Sequence, residues 1–257
     1  MDLQLKDRVV LIAGASRGIG LAIAEALLAE GAKVALTARG AASLEETRAR
    51  LASTYGARQV WALAGDMRDA AVIEDAVAQA ESELGPLWGA VANVGLHPCP
   101  MGFEIDDATW DASFSQNLDS AYRLARSALR RMCARGEGSL LFISSICGIE
   151  VLGAPMPYGV AKAGMNHMSR ELARIAGPMG VRVNTIAPGN VIFPGGDWEA
   201  RIKTDPDMWR EWIDREVPLR RFGAPGEIGI PAAFILSPIA TFLTGAVLQV
   251  DGGQVRG

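Results

Sequence analysis

Seven short apolar runs recur along the chain and alternate with segments that have helical periodicity. The runs, several of them rich in valine and isoleucine, lie at residues 9–13, 34–37, 60–63, 90–92, 140–144, 181–186 and 247–250. The helical segments lie at residues 18–30, 44–55, 69–84, 110–134, 158–176 and 225–236. Because strands that alternate with helices of this length form βαβ crossovers, the sequence predicts an α/β fold with a doubly wound parallel sheet.

The chain has no obvious internal boundary. No proline- or serine-rich linker and no repeat divides its 257 residues, so we expect a single domain over residues 1–257. One long irregular stretch follows Pro188 and ends near Pro225. Irregular segments of this length are uncommon in a compact domain and are more often functional than idle. We therefore predict that residues from about 190–222 form an inserted lid over the substrate.

Charge and cysteine usage limit the classes of partner. The formal net charge is −4, so no broad basic field invites nucleic acid or an anionic membrane. The uncharged stretch 228–250 is long enough to span a bilayer, but glycines and prolines interrupt it. We interpret it as a short buried helix, a turn and a core strand. The chain has three cysteines without a close pair, and its N-terminus is charged, so we expect a cytoplasmic protein. Because it has only two histidines, we do not expect a metal site.

A glycine-rich stretch, AGASRGIG, lies between the first apolar run and the first helical segment. Gly14 leaves the strand, and Gly18 and Gly20 open the helix. Glycine lets the backbone approach a phosphate, and a helix N-terminus offers unpaired N–H groups. The stretch therefore predicts the phosphate cradle of a dinucleotide site, with a tightly packed glycine turn as the alternative.

Two arginines bear on the choice of dinucleotide. Ala38 stands where an NAD site places an acid on the ribose hydroxyls, and Arg39 follows it. Arg17, inside the glycine loop, is close enough in sequence terms to act with Arg39. Because guanidinium groups bind phosphate in a bidentate way, the pair predicts NADP(H) rather than NAD(H). The alternative is that both arginines are solvated surface charges.

A tyrosine and a lysine share one face of a predicted helix. Tyr158 and Lys162 lie four residues apart. Because a nearby ammonium stabilises a phenolate, we predict that Lys162 lowers the pKa of Tyr158 toward neutrality, where a general acid/base works best. Ser145 at the end of an earlier strand, and Asn117 inside a long helix, add to this pattern.

Nine stretches occur in a distinctive order: AGASRGIG, GDMRD, ANVG, SQNLDS, ISSICG, YGVAK, VRVNTIAPG, RFGAPGEI and FLTGAVLQVDGG. In this order and spacing they resemble the short-chain dehydrogenase/reductase family over essentially the whole chain. The resemblance implies a Rossmann fold with strand order 3-2-1-4-5-6-7. It also implies an NADP(H)-dependent oxidoreductase that interconverts a carbonyl and a secondary alcohol. A 3-oxoacyl-(acyl-carrier-protein) reductase is the alternative, and a non-catalytic nucleotide-sensing protein is a less favoured one.

The resemblance also implies roles for individual residues. Tyr158 would protonate the substrate carbonyl oxygen, and Ser145, rather than Ser144, would hydrogen-bond it. Lys162 would hold the nicotinamide ribose, and Asn117 would hold a water for proton return. The implied cofactor-binding residues are Gly14, Ser16, Arg17, Gly18, Ile19, Gly20, Arg39, Asp66, Met67, Asn93, Gly95, Tyr158, Lys162, Pro188, Gly189 and Val191. For Asp66, which would lie beside the adenine, a helix N-cap is the alternative role.

The expected substrate contacts are His97, Ser145 and Trp198. The lid tryptophans Trp198, Trp209 and Trp212 suit an apolar or aromatic substrate, or they only fasten the lid to the body. His97 would line the same pocket or lie on a solvent-facing loop.

Departures from the family pattern lead to further expectations. The family usually has polar residues where Ala13 and Ala92 stand, and threonine where Phe193 stands. Since loss of both polar partners is nearly neutral, we predict that the two alanines lie within roughly 10 Å. Small residues on the tyrosine helix, together with the family resemblance, suggest a homotetramer. Met179 stands where acyl-carrier-protein reductases tend to have a basic residue, which disfavours the acyl-carrier-protein reductase alternative. The arginines of the preceding helix would serve a dimer contact or carrier docking.

Overall fold

The computed structural model describes residues 1–95 and 98–256, and its centre is a seven-stranded parallel sheet. The strand order is β3-β2-β1-β4-β5-β6-β7, which confirms the predicted fold class and order. The strands are β1 (Val9–Ala13), β2 (Lys33–Ala38), β3 (Val60–Ala64), β4 (Leu87–Ala92), β5 (Gly138–Ile143), β6 (Val181–Pro188) and β7 (Val247–Val250).

Helices cover both faces of the sheet. They are α1 (Gly18–Ala29), α2 (Ala41–Tyr55), α3 (Ala70–Leu84), α4 (Asp107–Phe114), α5 (Ser120–Arg135), α6 (Met156–Ala176), α7 (Asp197–Thr204), α8 (Pro206–Glu216) and α9 (Gly226–Leu236). Alternate residues of β1 point to opposite faces, as strand geometry requires. Val10 and Ile12 pack with α1, α2 and α9, whereas Val9 and Leu11 pack with α3, α5 and α6.

The uncharged stretch near the C-terminus forms α9, a turn and β7. None of the helices in the described part of the chain is long and apolar enough to cross a membrane. The expectation of a core strand is wrong, because β7 lies at the edge of the sheet and Leu248 is exposed.

The long helix expected at residues 110–134 is divided in two. A π-helical turn, Ser115–Asp119, separates α4 from α5 and carries Asn117. Turns of this kind insert one residue into a helix and occur frequently at functional sites. The π turn explains how a polar amide is accommodated within a helical segment.

The irregular segment after β6 contains α7 and α8 and is closed at its base. Val191 forms a bridge with Gly223, and the amide of Ile192 donates to the Gly223 carbonyl at 2.9 Å. Trp198 of α7 contacts Trp209 of α8, with ring centroids 5.1 Å apart. The segment is therefore a pair of short helices that share an aromatic cluster.

Candidate active site

The glycine loop is folded too tightly for side chains at several positions. Gly14 and Gly18 have φ of +74° and +59°, in the left-handed region that favours glycine. A Cβ on Gly20 would lie 2.2 Å from the Gly14 carbonyl oxygen. No side chain caps the N-terminus of α1, so its first N–H groups suit an anion. This cradle fits the phosphates of a dinucleotide.

Asn93, at the end of β4, holds the glycine turn in place. Its Nδ2 donates to the carbonyl oxygens of Ala13 at 3.2 Å and Gly14 at 3.0 Å. Ile12 is in register with Val91, and the next residues, Ala13 and Ala92, line one small cavity. The predicted proximity of the two alanines is confirmed.

Asp66 and Arg68 form an ion pair beyond the end of β3. The Asp66 carboxylate accepts hydrogen bonds from the Arg68 side chain, the shortest at 2.6 Å, and from the Arg68 amide at 2.9 Å. The N-cap alternative for Asp66 is wrong, because Asp69 caps α3 by accepting from the Ala71 amide. Arg68 was not among the predicted site residues, although it stands in GDMRD with the opposite charge two residues from Asp66.

The start of the irregular segment after β6, predicted to be a lid, lies against the glycine loop. Arg17 Nη1 donates to the Gly195 carbonyl at 3.1 Å, a contact that the sequence did not predict. The Phe193 ring comes within 2.7 Å of a Cβ placed on Gly18. Arg17 is therefore bound to the segment that follows β6, and the expected joint action with Arg39 is not shown.

Tyr158 lies in the first turn of α6, with Lys162 one turn later and Ser145 two residues after the end of β5. Lys162 is buried, and its Nζ lies 5.7 Å from the Tyr158 ring centroid. Its Nζ donates to the Ile143 carbonyl at 3.0 Å. Ser145 Oγ accepts from the Cys147 amide, whereas Ser144 Oγ donates to the Lys162 carbonyl. Ser144 thus gives its hydroxyl proton to the backbone of α6, whereas Ser145 is the serine that hydrogen-bonds Tyr158.

The expected lowering of the tyrosine pKa is wrong for this structure. Burial raises the pKa of Tyr158 to about 12, and a hydrogen bond with Ser145 opposes the rise. Burial lowers the pKa of Lys162 to about 8. Desolvation dominates because the ammonium binds a backbone carbonyl and does not contact the phenol oxygen. The phenol is therefore protonated at neutral pH, the state that a proton donor requires.

Asn117 and Lys162 meet beside Gly95. A Cβ on Gly95 would lie 3.0 Å from Lys162 Nζ and 3.1 Å from Asn117 Oδ1. The π turn orients Asn117, whose Nδ2 donates to the Ser113 carbonyl at 2.9 Å. The structure thus brings an amide oxygen and a buried ammonium together at the carboxyl end of β4.

The other expected site residues are spread around this edge of the sheet. Gly189, after Pro188, packs on Asp251, Val191 is buried, and the Ser16 carbonyl accepts from Thr47. Ile19 packs on the core, and Met67 is buried. Trp198 belongs to the aromatic cluster of the lid, and His97 lies outside the described residues.

The small residues of α6 serve packing inside the chain. A Cβ on Gly159 would contact the Cys147 carbonyl, and one on Gly164 would contact Leu118. Ala161 is buried, whereas Ala163 is exposed. These positions therefore give less support to a helix-pair interface than the sequence suggested.

The buried lysine should make stability depend on pH. Between pH 8 and 10 the unfolded chain keeps a proton on Lys162 that the native chain lacks, so the free energy of unfolding should rise. The rise should be at most about 3 kcal/mol. Above pH 10 the raised pKa of Tyr158 acts in the opposite direction. Urea unfolding at several pH values measures this, and Lys162→Met should remove the rise. An equal rise in that variant would contradict the interpretation.

Known proteins resemble the chain over its whole length. A family model described as Enoyl-(Acyl carrier protein) reductase matches residues 14–254. The acetoacetyl-CoA reductase of Synechocystis sp. is 35% identical over 255 residues, 99% of each chain. The chain belongs to the short-chain dehydrogenase/reductase family. The 3-oxoacyl-(acyl-carrier-protein) reductase FabG of Escherichia coli is 34% identical to this short-chain dehydrogenase/reductase, over 98% of this chain and 99% of the relative.

A solved structure extends the comparison. The L-sorbose reductase of Gluconobacter frateurii, complexed with NADPH and L-sorbose, superposes with a TM-score of 0.92 and 32% identity over 100% of both chains. The present chain is therefore an NAD(P)-dependent oxidoreductase that acts on carbonyl and alcohol groups, as the sequence predicted. The non-catalytic alternative finds no support among these relatives.

Proposed function

We propose that this enzyme uses NADP(H) to interconvert a carbonyl and a secondary alcohol, with Tyr158 as general acid/base. The observation that carries the proposal is the convergence of Lys162 Nζ and Asn117 Oδ1 at Gly95, one helical turn from Tyr158. Ser145, which hydrogen-bonds Tyr158, completes the group. A protonated phenol beside a hydroxyl suits a developing alkoxide.

The side chains divide the work of carbonyl reduction. When bound, a reduced nicotinamide supplies a hydride to the carbonyl carbon. The Tyr158 hydroxyl donates its proton to the carbonyl oxygen, and the Ser145 hydroxyl donates a hydrogen bond to the same oxygen. Lys162, which exchanges protons readily because its pKa is about 8, would return the proton to Tyr158, and Asn117 would hold a water that links Lys162 to solvent. Lys162 would also hold the nicotinamide ribose.

The preference for NADP(H) rests on the end of β2. Ala38 leaves no carboxylate there for a ribose, and Arg39 is exposed directly after it. In the relative with bound cofactor, the cofactor is NADPH. Arg39 would bind the 2′-phosphate, with Asp66 and Met67 beside the adenine. The residues that would hold the rest of the cofactor are Gly14, Ser16, Arg17, Gly18, Ile19, Gly20, Asn93, Gly95, Tyr158, Lys162, Pro188, Gly189 and Val191.

The substrate is a small carbonyl or alcohol compound under the lid at residues 190–222. Trp198, Trp209, Trp212 and Phe222 pack on one another, with Trp198 and Phe222 centroids 4.9 Å apart. Because these rings pack on one another, we infer that most of them hold the lid together and do not contact the substrate. His97 and Trp198 stay candidate contacts.

A 3-oxoacyl thioester on a carrier protein is the second candidate, favoured by the identity to the E. coli reductase. The candidate basic surface on α5 gives it little support. Arg131 and Arg135 bind Glu81 of α3, and Arg130 approaches Glu74. Met179 is exposed where a basic residue would help. An acidic carrier would therefore meet arginines that are already paired.

We also propose a homotetramer in the cytoplasm. β7 is an edge strand, and the side chains of Ile230, Phe234 and Phe242 are exposed, so a second copy would cover apolar groups and a free strand edge. Cys99, Cys133 and Cys147 are free thiols, which suits a reducing compartment.

Cofactor oxidation tests the proposed function. Purified enzyme is assayed with NADPH and NADH against acetoacetyl-CoA and a ketose such as L-sorbose. Because a charged hydrogen bond contributes about 1.5–3 kcal/mol, we expect kcat/KM to be at least about tenfold higher with NADPH. Arg39→Ala should remove most of this difference. Equal kcat/KM values for the two cofactors would contradict the NADP(H) assignment, and no oxidation with any carbonyl would contradict the reaction.

A further inference from the structure

Three charged side chains follow the ends of β2 and β3. Ala38 and Ala64 are in register, and the Gly65 amide donates to the Ala38 carbonyl at 2.9 Å. Arg39 directly follows Ala38, and Asp66 comes one residue after Gly65 on the adjacent backbone. The Arg39 charge contributes to the lowered pKa of Asp66, after the larger effect of Arg68. Asp66 is thus bound by the Arg68 guanidinium and also feels the charge of Arg39.

Arg68 engages the carboxylate of Asp66 on both oxygens. Arg68 Nε lies 3.1 Å from Oδ1 and 3.0 Å from Oδ2, and Nη2 lies 2.6 Å from Oδ2. Arg123 Nη1 donates to the Arg68 carbonyl at 2.6 Å, which holds the backbone of this turn. The turn is also fixed by Asp69, which caps α3. The ion pair is therefore part of an ordered turn.

The charge of Asp66 matters for a phosphorylated ribose. An NAD site selects an unphosphorylated ribose with a carboxylate at the end of β2, and here Asp66 brings a carboxylate from the adjacent backbone after β3. A phosphate monoester carries about −1.5 to −2 charge at pH 7, and a carboxylate without a partner would repel it. A bidentate guanidinium cancels the carboxylate charge while leaving the carboxylate in place. Arg39 is then free to bind the phosphate.

We propose that Arg68 is a specificity-determining residue that neutralises Asp66 and so lets the site accept the 2′-phosphate of NADP(H). Arg68 acts through Asp66 and is a positioning residue, not a phosphate ligand. This inference rests on the proposed NADP(H) site. It predicts a change in the ratio of the Kd values for NADH and NADPH, whichever cofactor the wild type prefers.

The test is a double-mutant cycle on cofactor binding. Kd values for NADPH and NADH are measured by fluorescence titration for the wild type, Arg68→Ala, Arg68→Lys, Asp66→Asn and the Asp66→Asn, Arg68→Ala double variant. Arg68→Ala should weaken NADPH about tenfold and NADH by less than about twofold, because only NADPH brings the second anion. Arg68→Lys should lie between wild type and Arg68→Ala. In the double variant, the ratio of the Kd for NADPH to the Kd for NADH should return to within about threefold of the wild-type ratio, because any lost adenine contact affects both cofactors alike.

A matched control separates the effect of the charge beside Asp66 from the effect of the protein's net charge. Arg50→Ala removes an arginine from another exposed ion pair, with Glu25, and should change neither Kd. If Arg68→Ala weakens both cofactors equally, Arg68 only supports the turn and the inference fails. If the NADPH-to-NADH Kd ratio of the double variant stays as high as that of Arg68→Ala, Arg68 contacts the phosphate directly and neutralisation is refuted. The preference of the wild type tests the NADP(H) assignment separately, because the inference concerns only the change in the ratio.

Discussion

Tyr158→Phe should lower kcat for carbonyl reduction by about a thousandfold and leave the Kd for NADPH within about twofold of wild type. The substitution removes one oxygen atom and keeps the ring, so the packing of α6 should persist. The lost atom is the proton donor, whose pKa of about 12 keeps it protonated at neutral pH. The measurement is the single-turnover rate of NADPH oxidation with saturating carbonyl, together with a binding titration.

Tyr55→Phe is the matched control for this prediction. Tyr55 ends α2 and is partly buried against the core away from the candidate site. Its loss of a hydroxyl should leave kcat within about twofold of wild type. If Tyr158→Phe retained more than about a tenth of the wild-type rate, another group would have to supply the proton, and the role assigned to Tyr158 would be wrong.

Gly20→Ala should both destabilise the protein and abolish cofactor binding. The added methyl would lie 2.2 Å from the Gly14 carbonyl oxygen and 2.7 Å from Asn93 Nδ2, so the glycine turn has to move. Overpacking of this kind costs about 1–3 kcal/mol of unfolding free energy. The displaced turn should also raise the Kd for NADPH by at least about a hundredfold, since three backbone positions form the cradle. Urea unfolding and a cofactor titration measure the two effects.

Gly226→Ala provides the control for Gly20→Ala. Gly226 also lies in the first turn of a helix, but a Cβ there would have no neighbour within 4 Å. Because alanine has the higher helix propensity, stability should be unchanged or rise by about 0.5–1 kcal/mol. Equal unfolding free energies for the two alanine variants would show that the glycine turn tolerates a side chain.

Much of the fold could be predicted from the sequence, because parallel strands buried on both faces are apolar throughout. The run at residues 9–13 became β1 with the same bounds, and 247–250 became β7. The edge position of β7 did not follow from its composition. An apolar sequence is expected both for a strand with neighbours from its own chain on each side and for an edge strand that a second copy covers.

The site was harder to predict where two physical effects compete. Helical spacing placed Lys162 one turn from Tyr158, and charge alone would lower the phenol pKa. The outcome depends on where the ammonium hydrogen-bonds and how deeply both groups are buried, which spacing does not specify. The contact between Arg17 and Gly195 joins residues 178 positions apart through an irregular segment. No local pattern encodes such a contact.

The most direct test of the central claim is the fate of the hydrogen at C4 of the cofactor. Wild-type enzyme is supplied with NADPH that carries deuterium at both C4 positions and with a carbonyl that it reduces, and the alcohol is analysed by mass spectrometry and NMR. We predict one deuterium per product molecule, bound to the carbinol carbon, with only the hydroxyl proton drawn from solvent. Product without deuterium at that carbon, or with deuterium lost to water, would contradict direct hydride transfer in this site.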